Sequence, residues 1–218
     1  VCEDLWHDEL ALQQEGKGCD IWLNLNASPF HLGKQAQREL LVAKRAKQFA
    51  SPVVYVNPVG GQDEIVFDGG SHVADSQGHL ILRAPMFERW CGAVDLAAVG
   101  GEQLVPLPEG MQQIHSALVM GVADYVQREG CKQVVIGLSG GIGAALTAVI
   151  AVQALGAENV LGVLLPSDYS SDHSISDALA LVENLGMDSI TLPIADSVGV
   201  VEETLSDTFT RWGNPRRI

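Results

Sequence analysis

Val134-Val135-Ile136-Gly137-Leu138-Ser139-Gly140-Gly141-Ile142-Gly143-Ala144-Ala145-Leu146 reads as a strand, a loop and the opening of a helix. Val134–Leu138 is apolar and β-branched, the composition of a buried strand. Ser139–Gly143 is a loop, and Ala144–Leu155 is an alanine-rich helix that Gly156 ends. Glycines there let backbone N–H groups approach an anion with no Cβ in the way, and the following helix N-terminus adds partial positive charge. The loop lacks the Lys of G-x-x-x-x-G-K-[ST] and does not follow G-x-G-x-x-G. Spacing alone leaves two readings, a phosphate cradle and an ordinary strand-to-helix turn.

The same alternation continues on both sides of the loop. Before it, Met111–Arg128 carries Ile114, Leu118, Val122, Tyr125 and Val126 at helical spacing, and Gly130 follows. After it come a strand at Val160–Leu165, a helix at Ser174–Leu185, a strand at Ser189–Pro193 and a helix at Val198–Phe209. Strands alternating with helices predict βαβ units and a doubly wound parallel sheet. The polar run from Ser167 to Asp177 sits at a strand's C-terminal end, where open α/β sheets bind ligands. Its hydroxyls equally suit helix caps and turns.

The first hundred residues are predicted to mix short strands and helices. Strands are expected at Ile21–Asn24, Val53–Val56 and Ile65–Phe67, with a hairpin of His72–Ala74 and Leu80–Arg83 around Asp75-Ser76-Gln77-Gly78. A helix from Lys34 to Phe49 is expected to turn Ala36, Leu40, Ala43 and Lys47 to one side, and Ser51-Pro52 stops it. Pro85, Pro106, Pro108 and Gly100-Gly101 mark a change of character. The expected organisation is therefore residues 1–95, a linker at 96–110, and residues 111–218.

The composition bounds the function. The 218 residues are 47% hydrophobic and 18% charged, enough to bury a core. A net charge of −14 argues against a nucleic-acid backbone as partner. No apolar run reaches spanning length and no signal peptide is visible. Cys2, Cys19, Cys91 and Cys131 are scattered without zinc spacing, which fits a reducing cytoplasm. Cys2, in Val1-Cys2-Glu3-Asp4-Leu5-Trp6, suits either a nucleophile or a buried structural cysteine. Ser28 and Lys34, in Asn26-Ala27-Ser28-Pro29-Phe30-His31-Leu32-Gly33-Lys34, suit either a carboxylate-bearing substrate or a helix N-terminal turn with a solvated Lys. The tail from Arg211 to Ile218 shows no clear period.

Taken in order, these motifs resemble the glutamine-dependent NAD synthetase family from Cys2 to about Phe209. Cys2-Glu3-Asp4-Leu5-Trp6 is similar to its nucleophile segment and Asn26–Lys34 to its glutamine-binding turn. Asn57-Pro58-Val59-Gly60-Gly61-Gln62-Asp63-Glu64 and Asp68-Gly69-Gly70-Ser71 match later signature loops. Gly137-Leu138-Ser139-Gly140-Gly141-Ile142 is similar to its phosphate loop, and Pro166-Ser167 with Tyr169-Ser170-Ser171 to the next loop. The implied fold is the C-terminal half of a nitrilase-like α-β-β-α sandwich, followed by the first part of a doubly wound parallel-sheet, ATP-pyrophosphatase-type domain.

The resemblance implies a chemistry. Cys2 attacks the glutamine amide and releases ammonia, the Glu3 N–H helps hold the oxyanion, and Ser28 and Lys34 hold glutamine. Residues Gly137 to Ala144 hold ATP, which with magnesium activates deamido-NAD for amidation. The implied enzyme is a cytoplasmic homo-oligomer at full length. Two departures follow. The family's Glu base and Lys lie upstream of its Cys, so these 218 residues alone are expected to be inactive. The family loop continues with Asp and Ser, where Gly143 and Ala144 stand, so a magnesium ligand is replaced. Two alternatives remain: a degenerate subunit that binds a nucleotide or a partner chain, and a nitrilase-like amidase fused to another ATP-pyrophosphatase, such as one acting on tRNA.

Overall fold

The computed structural model describes residues 2–13, 16–96, 103–167 and 170–213. Val1, Gly100-Gly101, Asp168, Tyr169 and the tail Asn214–Ile218, all used above, lie outside the described residues. The chain forms two compact units, Val1–Arg128 and Glu129–Ile218.

The first unit opens with a 3-10 turn, Cys2–Trp6, and a short helix α1, Asp8–Leu12. Strand β1 (Trp22–Leu25) is followed by helix α2 (Lys34–Phe49) and strand β2 (Val53–Val56). A hairpin of β3 (Val59–Gln62) and β4 (Ile65–Asp68) precedes β5 (His72–Ala74) and β6 (Leu80–Arg83). Gln103–Leu104 forms β7 within the expected linker, and helix α3 spans Gly110–Arg128. The main sheet runs β1-β2-β5-β6-β7, with β1 parallel to β2 and the β2–β5 and β5–β6 pairs antiparallel. The Asp75 carboxylate closes the β5–β6 turn by accepting the N–H groups of Gln77 and His79 at 2.9 and 2.8 Å.

Helix α2 starts and stops as its sequence predicts, but it buries another face. Gln35, Arg38, Val42, Arg45 and Ala46 point inward, while Leu40 is 73% exposed and Ala36 and Lys47 are exposed. Hydropathy ranks arginine as a surface residue, whereas here two arginines are buried against acceptors that other segments supply. Helix α3 also departs from its apolar stripe. Ala117 is buried, while Leu118 and Tyr125 are 46% and 52% exposed. Its inward face is small because a hairpin backbone lies against it.

The second unit is simpler. Strands β8 (Val134–Gly137), β9 (Val160–Leu164) and β10 (Asp188–Thr191) form a parallel sheet in the order β10-β9-β8. Helix α4 (Ile142–Leu155) crosses from β8 to β9, helix α5 (Asp172–Leu185) crosses from β9 to β10, and α6 (Ala195–Arg211) follows. Leu138, Ala148, Ala151, Val160, Leu164, Ala178 and Met187 make its core. The alanines let α4 and α5 lie close to the sheet. No helix among the described residues is long and apolar enough to cross a membrane.

Candidate functional site

Two groups of residues, one in each unit, have the geometry of sites. In the first, Cys2 heads the 3-10 turn with φ of +51°, a left-handed conformation that a residue with a Cβ adopts only under constraint. Helix α2 anchors the later residues of the turn. The Arg45 Nε donates to the Leu5 carbonyl at 2.8 Å, and Leu5 enters a core with Val42, Ala46, Val53, Tyr55 and Ala74. The Lys34 ammonium stands 4.1 Å over the Trp6 ring. Cys2 is half-buried and Glu3 exposed.

Ser28 sits in a buried polar network. Its N–H donates to Asn57 Oδ1 at 2.8 Å, and its carbonyl accepts from Asn57 Nδ2 at 3.1 Å. Arg38 Nε donates to the Ser28 hydroxyl at 3.2 Å, and Nη2 donates to the carbonyls of Ser28 and Pro29 at 2.8 and 3.0 Å. Nη1 of the same arginine donates to both Asp68 carboxylate oxygens at 2.8 Å. Both partners are fully buried, and burial pushes the Asp68 carboxyl up against the pull of Arg38. The Asn26–Lys34 turn is thus held from β4 and α2, with the Phe30 N–H donating to the Val66 carbonyl at 2.7 Å.

Tyr55 lies between these pieces. It is fully buried, its hydroxyl beside that of Ser28 without a well-formed hydrogen bond, and burial pushes its phenol up. It faces Asn24 on β1 and stacks on His72 of β5 with ring centroids 4.8 Å apart. Burial lowers His72 to about 4, so the ring is neutral, with Nδ1 2.9 Å from the Gly70 carbonyl. Burial also pushes the Glu39 carboxyl up, but the Arg83 fork at 2.7 and 2.8 Å holds it below the usual carboxylate range.

In the second unit, the loop after β8 packs on the start of α5. Gly140 has φ of +73°, and a Cβ there would fall 2.3 Å from the Ser174 carbonyl oxygen, so only glycine fits. Gly141 precedes α4 in an extended conformation and offers no side-chain cap, leaving the first N–H groups of the helix open to an anion. Ser139, Leu164, Pro166, Ser170, Ser171 and Ser174 line a recess of about 450 Å³ beside this loop. The serines also serve as caps. The Ser171 hydroxyl accepts the Ser174 N–H at 3.2 Å, and the Ser170 hydroxyl accepts that of Ser167 at 3.0 Å. On its other side, Gly140, Gly141 and Ile142 border a second recess with Asp177 and Asn184. Residues 139–144 offer one hydroxyl and no carboxylate, so they do not fit a magnesium ion as ligands. Among the described residues, no group of three or more His, Cys, Asp or Glu is placed to hold a metal.

The sequence reading singled out Cys2, Ser28, Lys34 and the Ser139 loop but missed Arg38, Arg45 and Tyr55. The usable signal was the stripe Gln35, Arg38, Val42, Arg45, Phe49, where polar and apolar residues share one helical face. The acidic partner of Arg38 lies thirty residues away, so no local pattern links the two.

The half-buried Cys2 turn on one α/β unit and the open glycine loop on a parallel-sheet unit fall in two different family regions. The carbon-nitrogen hydrolase family model matches residues 1–101 and the NAD synthase model matches residues 114–215. The chain joins a carbon-nitrogen hydrolase region to an NAD synthase region. It is 44% identical to a glutamine-dependent NAD(+) synthetase of Synechocystis sp., over 96% of this chain and 40% of that one. It is 38% identical to the Thermotoga maritima enzyme of that name, over 96% of this chain and 43% of the relative. The solved Acinetobacter baumannii glutamine-dependent NAD+ synthetase, in complex with ADP, superimposes with a TM-score of 0.86 at 35% identity, covering 95% of this chain and 40% of that one. The chain belongs to the glutamine-dependent NAD(+) synthetase family and spans about 40% of the length of these relatives.

Proposed function

We propose that this chain is the part of a glutamine-dependent NAD(+) synthetase that joins glutamine hydrolysis to ATP-dependent amidation of deamido-NAD. The observation that carries the reading is the succession, on one chain, of a constrained Cys2 turn and an open Ser139–Gly141 loop within the two matched regions. In this reading the Cys2 thiolate attacks the glutamine side-chain carbonyl. A thioester forms, ammonia leaves and water later releases glutamate. In this reading the Glu3 N–H, next in the chain after the nucleophile, helps hold the oxyanion. Ser28 presents glutamine contacts from a turn that Arg38 and Asn57 immobilise, and Lys34 serves both glutamine and the Trp6 contact.

In the second unit, Gly137–Ala144 hold the nucleotide through backbone N–H groups and the α4 N-terminus, and the recess beside Leu164–Pro166 takes its nucleoside. ATP supplies the adenylate that activates the deamido-NAD carboxylate when bound. The test uses the whole protein that carries this chain, assayed for NAD formation with glutamine and, separately, with ammonia. Cys2→Ala should abolish the glutamine-dependent rate and leave the ammonia-dependent rate. Glutamine-dependent turnover that survives the substitution refutes the reading.

Gly143 and Ala144 favour a second reading, in which the second unit binds a nucleotide without turning it over. A Cβ at Gly143 meets nothing within 4 Å, so the backbone there leaves open space for the first atom of a side chain. If Gly143→Asp with Ala144→Ser confers magnesium-dependent tightening of nucleotide binding by calorimetry and starts ammonia-dependent synthesis, the unmodified loop is a binding device. Full synthesis by the unmodified protein removes this second reading.

A further inference from the structure

Helix α3 has two memberships. From residue 114 onward it falls in the NAD synthase match, yet it packs within the first compact unit, against the β3–β4 hairpin. The contact is made of small groups. A Cβ on Gly61 would lie 3.2 Å from the Asp124 Cβ and 3.3 Å from the Gly121 Cα, and one on Gly121 would lie 3.3 Å from Val66. The Gly61 N–H, on the free edge of the hairpin, donates to the Asp124 carboxylate. An edge amide that backbone pairing leaves over thus meets a charged acceptor from another element.

The hairpin's other strand holds the Ser28 turn. The Val66 carbonyl accepts the Phe30 N–H at 2.7 Å, and Gly61 and Val66 are cross-strand partners. At the end of β4, Asp68 holds Arg38, which holds Ser28, and the Asp68 carbonyl accepts the Phe87 N–H at 2.9 Å. Phe87 meets Phe30 edge to face, with centroids 5.4 Å apart. One unbroken set of hydrogen bonds and close contacts therefore runs from Asp124 through β3 and β4 to Ser28 and Phe30.

We propose that Asp124, seated by Gly121, is a positioning residue for the glutamine-binding turn, supplied to the hydrolase-type site by the synthase segment. This rests on the reading of Ser28–Lys34 as that turn. The whole protein that carries this chain is compared with its Asp124→Ala and Asp124→Asn variants. The readouts are glutamine hydrolysis, ammonia-dependent NAD formation, and backbone hydrogen exchange over residues 59–68 and 26–34.

Asp124→Ala should raise KM for glutamine roughly three- to tenfold with kcat little changed, the scale of part of one charge-assisted hydrogen bond. The ammonia-dependent rate should stand. Asp124→Asn, which keeps an acceptor oxygen, should recover most of the KM. Exchange should quicken in 59–68 and in 26–34 together. Faster exchange confined to 59–68, or a KM that does not move while the hairpin loosens, overturns the proposal. If the unmutated protein hydrolyses no glutamine, the functional reading fails while the exchange comparison still decides the positioning.

Discussion

The two units hold their sites by different means. Among the described residues, every buried polar or charged side chain belongs to the first unit: Asn24, Ser28, Gln35, Arg38, Arg45, Ser51, Asn57, Asp68 and His72. The second unit positions its loop with backbone, glycine and a core of alanine, leucine, valine and methionine. A buried ion pair fixes geometry at the expense of desolvation, and it becomes strongly destabilising when one partner is removed. A glycine contact fixes geometry through the absence of an atom, and it fails when an atom is added. The buried polar network of the first unit is therefore sensitive to deletions and the loop of the second to additions.

The sharpest way to break this contrast is Arg38→Met. Removing the guanidinium leaves the Asp68 carboxylate buried without its partner, and a loss of about 3–5 kcal/mol in denaturant unfolding is expected. Adding Asp68→Leu to it should restore much of that loss, because neither charge of the pair then remains buried. A double variant as unstable as the single one would show that the pair is not the source of the effect.

Next in size is Gly140→Ala, the addition in the second unit. The new Cβ meets the Ser174 carbonyl at a φ that alanine disfavours, so a loss of about 1–3 kcal/mol is expected. Weaker nucleotide binding by calorimetry should accompany it. An alanine variant with unchanged stability and affinity would show that the loop and α5 move apart freely.

Spread over more than two pH units, the most gradual effect is a pH dependence in the first unit. His72 is held neutral in the fold, at about 4 against an ordinary 6.5, so the unfolded chain takes up a proton in that window and the folded chain does not. Stability should therefore fall as pH drops from 6.5 and stop falling from this cause near 4, by roughly 3 kcal/mol in all. Glu39, Arg38 and Arg83 surround the ring, and Tyr55 stacks on it. His72→Phe keeps the stack and removes the titration. In thermal unfolding across this range the parent should lose stability relative to the variant as pH falls, and parallel curves would refute the assignment.

The comparison also measures what was legible beforehand. The second unit follows its sequence closely, because its strands are short apolar runs and Gly156 and Gly186 stop α4 and α5. The Ser139 loop was legible for the same reason: strand, loop and helix are consecutive. In the first unit the end of α2 was legible from Ser51-Pro52, but its buried face was not. Arg38 and Arg45 read as solvated until Asp68 and the Leu5 carbonyl arrive from distant segments. Strand β3 was hidden because Gly60-Gly61 reads as a turn, and it forms a strand only with β4 beside it.

The sequence alone determined the alternation of elements, the glycine loop and the order of motifs, since these depend on local periodicity and turn chemistry. It also determined that residues 139–144 carry no carboxylate. Tertiary structure decided which polar residues are buried, that the turn after Cys2 is anchored by α2 through Leu5 and Trp6, and that α3 packs with the first unit. Those outcomes depend on partners tens of residues apart. A hydrogen bond or a close glycine contact across that separation leaves no trace in the local pattern of either segment.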